Sequence, residues 1–391
     1  METTGTHALL QLTEKTCGLC KTQGNTLRCS RCQVVYYCSR EHQAEHLNAH
    51  KKSCSQVRKS RDALAAEEQK LRDMPADVLF AGDAFITCVG HFWGVIETRP
   101  YMRARSALIH ALMAVESRES VQMQLEHGRD MLRLCRGDNV GIRVAVPGAL
   151  LQLGRDQECY DFVKWYETTG QQGDYDWGDI EGPFLDVHDA DVFEDADYVC
   201  HRFLSLCFGA GMLLVKTRLL LDLMDLQSSA VDSATRPTPA EGPRLRSSVI
   251  AKNEDILKRG DHTAAIGLLQ DQVRTLYKAL HSSNKYFWEA LLAPEKHLHE
   301  LPAYYSPGTL SEVQSMLKHF PGPSTTIQDR RLSSRSFRTL EPKSSAFYES
   351  SPFNIMPHFE SGKRKARKCH SYAVQCGKGE PYDVVFRSKE Y

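Results

Sequence analysis

The chain has 391 residues, of which 41% are hydrophobic and 25% charged, and its 49 Lys and Arg side chains equal its 49 Asp and Glu side chains in number. This length allows a sizeable core in about two or three domains, and the balanced charge gives no overall attraction to nucleic acid or to an anionic membrane. The N-terminus lacks the features of a secretory signal, and the apolar run 203–215 is too short to span a bilayer. We therefore expect no membrane span.

The first feature along the chain is a cluster that holds six of the 13 cysteines, between Cys17 and Cys54. The remaining cysteines are scattered along the chain. This distribution favours a metal site over a disulfide framework, and it is typical of proteins in a reducing, intracellular compartment. The candidate ligands form four pairs: Cys17-x2-Cys20, Cys29-x2-Cys32, Cys38-x3-His42 and His50-x3-Cys54. Because two pairs make one tetrahedral zinc site, the cluster predicts two structural Zn²⁺ ions with no open coordination position. A segment this short should fold only together with its metal.

The histidines of this cluster, His42, His46 and His50, are spaced four apart, which places them on one face of a helix. One ion needs at most two of them. Spacing therefore leaves open which pairs share an ion.

The pattern resembles the MYND-type zinc fingers, which have two CxxC knuckles, an aromatic-Cys-Ser stretch, here Tyr37-Cys38-Ser39, and x3-spaced ligands on a helix. The resemblance covers residues 14–57. It implies two interleaved zinc sites, one formed by Cys17, Cys20, Cys38 and His42 and the other by Cys29, Cys32, His50 and Cys54. It leaves His46 without a ligand role, and we expect this residue to pack or form a hydrogen bond on the helix surface beside Leu47.

Two positions depart from the usual family pattern. His42 stands where the family usually has cysteine; imidazole is an equally good zinc donor, but it protonates near neutral pH, so this site should be more sensitive to mild acid. Leu47 stands where many members have a tryptophan, which forms part of the surface on which several such fingers bind proline-rich peptides. The resemblance implies a protein partner, and Leu47 argues against a proline-rich one.

The residues after the finger have the apolar spacing of helices over 58–226 and again over 249–320. One predicted helix starts near Pro100 and carries apolar residues at helical spacing: Met102, Leu108, Leu112 and Val115. Residues 212–227 are predicted to form a buried core helix in spite of four charges: Lys216, Arg218, Asp222 and Asp225.

Two turns in this region are similar. Each has a glycine, Gly154 or Gly260, followed by an aspartate and then by a small residue, Cys159 or Ala264, at which a neighbouring helix could approach. This form resembles tetratricopeptide repeats, but no clean 34-residue period can be phased. The expected fold class is thus mainly α, with a tetratricopeptide-like or an irregular helical body.

Three further segments are polar. Residues 227–248 are rich in Ser and Pro and are predicted to be a flexible linker, and residues 321–391 to be a disordered tail. The tail contains a basic run from Lys363 to Lys368, either a nuclear import signal or a solvated segment, so we expect the protein in the cytoplasm or nucleus. Residues 173–198 carry ten carboxylates and no Lys or Arg. They lack the glycine and glutamate of a calcium-binding EF-hand, which predicts a solvated acidic loop.

These features predict a zinc-binding adaptor for protein–protein interaction, without catalysis. A SET-type lysine methyltransferase would need an Asn-His dipeptide, which the sequence lacks, and half a SET domain before Cys17. An iron-dependent hydroxylase would need a His-x-Asp/Glu pair, found only at His358-Phe359-Glu360 in the tail. The alternative is a nucleic-acid-associated transcriptional regulator; the finger has Lys21, Arg28 and Arg31 but lacks the linear Cys2His2 layout.

Overall fold

The computed structural model describes residues 14–75, 82–235, 243–298 and 305–320. Two short strands and thirteen α-helices lie in these ranges: β1 Leu27–Arg28, β2 Tyr36–Tyr37, α1 Arg40–Glu45, α2 Leu47–Arg72, α3 Ala84–Thr87, α4 Arg99–Met113, α5 Arg118–Leu134, α6 Val146–Gln152, α7 Asp156–Glu167, α8 Leu206–Thr235, α9 Ser248–Lys252, α10 Glu254–Lys258, α11 Thr263–Ser283, α12 Phe287–Leu292 and α13 Leu310–His319. The described chain is therefore mainly α, as predicted, with a small β-hairpin in the finger.

The finger continues directly into the helical body through α2. This 26-residue helix starts inside the zinc cluster and ends at Arg72, so the predicted boundary at residue 57 falls within one helix. Val57 and Leu64 are buried on it, and α2 packs along α4. Pro100 lies at the first turn of α4, as predicted, because its missing N–H group costs nothing there.

The helices of the body pack mostly against their neighbours in sequence. Helix α4 packs on α5, α5 on α6, α6 on α7 and α7 on α8, while α8 also packs along α11. The contact faces bury large side chains, among them Leu108, Leu125, Met131, Tyr160 and Trp165. The predicted apolar periodicity of α4 is confirmed, because Met102, Leu108, Leu112 and the following Val115 are all buried.

Helix α8 is the predicted core helix, and it buries charged side chains as well as leucines. Lys216 donates hydrogen bonds of 2.6 Å to the carbonyl oxygens of Val192 and Glu194. Arg218 donates to the buried carboxylate of Asp156 at 2.6 Å. Burial of a charge is tolerated only where such partners replace water.

The predicted linker 227–248 is wrong at both ends. Its first part, 227–235, belongs to α8, and its last part is partly buried, with Leu245 and Ser247 fully covered. The reason is a pair of buried carboxylates. Asp222 accepts hydrogen bonds from the backbone N–H groups of Arg246 and Ser247, and Asp156 accepts one from that of Ser248. These bonds satisfy a backbone that would otherwise need water.

The acidic segment 173–198 is irregular, but it is anchored rather than simply solvated. The indole N–H of Trp165 donates to Asp186 at 2.9 Å, and its ring meets Tyr175, Trp177 and Phe184 edge to face. Tyr160 donates to Glu194 at 2.8 Å. Aromatic residues between the carboxylates therefore fix the segment to α7, which corrects the expectation of a solvated loop.

The two similar turns differ in the structure. Gly154 has a φ of +70°, which favours glycine, and Cys159 is buried next to Gly211 of α8, where the two helices approach closely. Gly260 lies in a turn between α10 and α11, and Ala264 is exposed, so the predicted close approach is missing there.

The predicted disordered tail, 321–391, with its basic run, lies outside the described residues. Among the residues that are described, no helix has the length and apolar character needed to cross a bilayer.

Candidate metal centre

The two CxxC pairs are built as similar knuckles. In each, the residue after the second cysteine, Lys21 or Gln33, has a φ of +60°. Its N–H donates to the carbonyl oxygen of the first cysteine, Cys17 or Cys29, at 3.0 and 2.9 Å. This turn brings both thiols of a pair to one side. The antiparallel pairing of Leu27 with Tyr37 and of Arg28 with Tyr36 then holds the second knuckle against β2.

Helices supply the remaining donors. The Ser39 hydroxyl caps the N-terminus of α1 by accepting from the N–H of His42 at 3.3 Å, which places that imidazole in the first turn beside Cys38. His50 and Cys54 are one turn apart on α2, so their side chains point to the same side. Each helix therefore completes a site whose first two ligands come from a knuckle.

The donor atoms converge into two groups of four: Cys17, Cys20, Cys38 and His42, called site 1, and Cys29, Cys32, His50 and Cys54, called site 2. Within each group the donor atoms lie within 4.8 Å of one another. Neighbouring donors are 3.7 Å apart for Cys20 and Cys38, 3.8 Å for Cys29 and Cys54 and 3.4 Å for Cys32 and His50. A zinc tetrahedron has edges of roughly 3.5–3.8 Å, so both groups fit Zn²⁺.

A family model, the MYND finger, matches residues 17–54. This segment is a MYND finger. No curated protein and no solved structure matches the chain. The match and the interleaved ligand groups agree, so the predicted pairing of ligands and the two structural zinc ions are confirmed.

The two sites of the MYND finger differ in their exposure. All four ligands of site 2 are buried, whereas Cys20 of site 1 is exposed and Cys38 and His42 are half-buried. The closed shell around site 2 should slow the exchange of its ion with solvent. Site 1 is the one that a competing chelator reaches first.

The pKa values of the cysteine thiols in the MYND finger indicate that each site needs a bound cation. Burial, together with the neighbouring thiols, raises the pKa of the Cys54 thiol to about 12, and desolvation and neighbouring thiols raise that of Cys38 to about 11. For Cys17, burial opposes ionisation, but hydrogen bonds from the backbone N–H groups of Cys20, Cys38 and Leu19 outweigh it and lower the pKa to about 5. A thiol with a raised pKa, such as that of Cys54, ionises near neutral pH only when a cation is bound to it. A bound Zn²⁺ supplies this positive charge.

His46 belongs to neither ligand group of the described finger. Its Nδ1 atom is hydrogen-bonded to the Tyr37 hydroxyl at 3.1 Å, and its ring stacks on that of His50 with centroids 5.7 Å apart. A Cβ atom at Gly18 would lie 3.2 Å from the His46 ring, so this position requires a very small residue. His46 thus packs and hydrogen-bonds without a ligand role, as expected, and its stacking contact helps to orient a ligand ring of site 2.

Contacts beyond the ligands hold the MYND finger against the helical body. One Arg61 amino group donates to the carbonyl oxygens of Arg31 and Cys32 at 2.7 and 2.9 Å. The Ser117 hydroxyl, at the start of α5, donates to the Val34 carbonyl at 2.5 Å. The sequence showed neither role, because a lone arginine or serine carries no motif for a contact 30 or 83 residues away.

Proposed function

We propose that the chain is an adaptor without catalytic activity, which presents its MYND finger and its helical body to partner proteins. The observation that carries the proposal is the closure of both zinc sites by four protein donors each. A catalytic zinc keeps a position for water or substrate, whereas a four-ligand structural zinc only stabilises the fold. Zinc here would maintain a binding surface.

The surface of the finger supports a protein partner. Leu47, the first residue of α2, is 51% exposed, and Leu27 on β1 is 48% exposed. These two exposed aliphatic side chains would be accessible to a partner protein. Leucine offers no flat ring on which a proline could stack, so we propose a partner segment other than a proline-rich one.

The helical body would act as a second interaction surface. Sequential pairing of its helices supports a repeat-like scaffold. The lengths are uneven, from four residues in α3 to 30 in α8, which favours an irregular array over regular tetratricopeptide repeats.

We also propose that the protein acts inside the cell, in the cytoplasm or the nucleus. None of the eleven cysteines in the described part of the chain forms a disulfide, which supports a reducing compartment. Fluorescence microscopy of the full chain with and without substitution of Lys363, Arg364 and Lys365 by alanine would separate the two locations.

Proximity labelling in cells tests the adaptor function. We expect the full-length chain to label a reproducible set of proteins that the double variant Cys20→Ser/Cys38→Ser, which lacks half of site 1, no longer labels. Cys88→Ser, a half-buried cysteine outside both sites, is the matched control and should label the original set. Unchanged labelling by the zinc-site variant would contradict an adaptor role for the finger.

A further inference from the structure

The finger and the first half of α2 are strongly basic, although the whole chain is neutral. Residues 14–61 contain ten Lys and Arg residues but three Asp and Glu residues, and the rest of the chain has the opposite excess. Bound zinc changes this balance little, because six thiolates and two Zn²⁺ ions together add only two negative charges. The zinc-loaded finger therefore carries a net positive charge.

Four of these cations form one face of α2, called the basic face: Lys51, Lys52, Arg58 and Lys59. They form two adjacent pairs that lie seven residues, or about two helical turns, apart, so both pairs lie on the same side of the helix. All four are exposed, while the opposite side of the helix buries Cys54, Val57, Ser60 and Leu64. The basic face is the solvent side of a helix whose other side is fixed in the core.

The cations of the basic face form no ion pair within the described parts of the chain. Farther along the same helix the pattern changes, since Lys70 pairs with Glu67 at 2.7 Å and Arg72 with Glu68 at 2.8 Å. Between Glu45 and Asp62 the sequence has no acidic residue that could serve as such a partner. The positive charge of the basic face is thus available to a second molecule.

We infer that the basic face binds an acidic segment of a partner protein. The inference rests on the proposed adaptor function and names the chemistry of its partner. Residues 51 to 59 span about 12 Å along the helix, which matches about four residues of an extended peptide. Each exposed ion pair is weak and is screened by salt, so several carboxylates must engage together.

Nucleic acid fits the basic face less well. A protein bound to a duplex typically contacts about six to ten phosphates, more than four cations along one short helix face can engage. Residues 48 to 59 include no Phe, Tyr or Trp on which a base could stack, and the ring of His50 is buried.

The test measures fluorescence anisotropy of a fluorescein-labelled peptide of six Glu-Ser repeats with the full-length protein at low salt. We expect binding that weakens as salt is added, and about tenfold weaker binding by Lys52→Glu/Lys59→Glu. The matched control is Lys70→Glu/Lys258→Glu, which changes the net charge equally at two exposed lysines that already have partners. The control should bind within about twofold of the unmodified chain.

Three results would overturn the inference. The first is an equal loss of peptide binding in both double variants. The second is tighter binding of a twelve-nucleotide single-stranded DNA than of the peptide. The third is concentration-dependent self-association of the chain in sedimentation, if Lys52→Glu/Lys59→Glu abolishes it. Zinc content of two ions in every variant excludes unfolding of the finger as the cause. A chain that fails to bind the peptide but keeps its finger-dependent labelling partners would refute this inference and leave the adaptor function standing.

Discussion

The His46 side chain stacks on a neighbouring ring and forms a hydrogen bond, and it belongs to neither group of metal ligands in the described finger. The ring lies against that of His50, and its Nδ1 atom is joined to the Tyr37 hydroxyl, which is fully buried. Burial is the main cause that raises the pKa of Tyr37, so this hydroxyl keeps its proton. His46 therefore positions a neighbouring ligand without binding zinc itself.

Alanine substitutions should separate the three histidines. His42→Ala and His50→Ala should each lose one of two zinc ions, because a site with three protein ligands admits water and binds more weakly. His46→Ala should keep both ions and lose about 1–2 kcal/mol of stability with its hydrogen bond and stacking. Metal analysis and thermal unfolding measure both effects, with the exposed His188→Ala as control. A His46→Ala protein with a single ion would show that His46 is a ligand.

Lys216 is a buried cation whose pKa controls part of the stability. Burial lowers this pKa from 10.5 to about 8, although Glu194 and Asp191 act in the opposite direction. Between these two values the unfolded chain binds the proton and the folded chain does not. Stability should therefore rise as the pH increases from about 8 to 10.5.

The variant Lys216→Met isolates this effect. We expect the unfolding temperature of the unmodified chain, relative to that of the variant, to increase over this alkaline range, since methionine has no proton to release. Thermal unfolding at several pH values gives the difference between the two proteins. Parallel curves would mean that Lys216 titrates normally in the fold.

Among the elements, α2 joins metal binding to helix packing. Its first turns carry His50 and Cys54, and its later turns pack on α4. Site 2 is completed by this long, anchored helix, whereas site 1 is completed by the six-residue α1. The second site therefore has a more rigid and better covered set of ligands.

This difference predicts two phases of zinc release to a chromogenic chelator. The fast phase should come from site 1, which exposes Cys20, and the slow phase from the buried site 2. Cys20→Ser should remove the fast phase and leave the slow one, while Cys88→Ser should leave both. Release in a single phase from the unmodified chain would contradict the difference in accessibility.

The zinc ligands could be predicted from the sequence because knuckle spacing is local and because the donor atoms themselves define the site. The extent of α2 and the partly buried position of segment 243–248 could not be predicted. Ser, Pro and Arg are typical of loops, and only the distant carboxylates of Asp156 and Asp222 make that backbone fit a buried position. Similarly, the hydrogen bond from Ser117 to Val34 depends on how the helices pack and could not be predicted from any sequence motif.

For the whole molecule, the proposed absence of catalysis is a prediction that assays can test. Both zinc sites are closed, and the sequence has neither the methyltransferase dipeptide nor an iron triad within its helical body. The purified chain should not methylate histones or peptides and should not consume 2-oxoglutarate. Turnover that depends on the added cofactor, absent from a heat-denatured control, would refute the proposal.

The MYND finger and the helical body are connected by a shared helix and by hydrogen bonds. Helix α2 is shared between them, Arg61 holds the second knuckle, and Ser117 at the start of α5 holds Val34. Removal of zinc should therefore loosen α4 and the start of α5, because the helix that packs on α4 loses the fixed position of its first turns.

Hydrogen exchange before and after chelation of the full-length protein checks this coupling. Amides of α4 and of the first turn of α5 should exchange faster without zinc, whereas α11, which packs along α8 on other contacts, should keep its protection. Arg61→Ala should reproduce part of the effect with zinc still bound, because it removes two hydrogen bonds to the finger but no ligand. Exchange in α4 that is insensitive to zinc would show that the finger moves independently, and a partner bound to the basic face could then not influence the helical body.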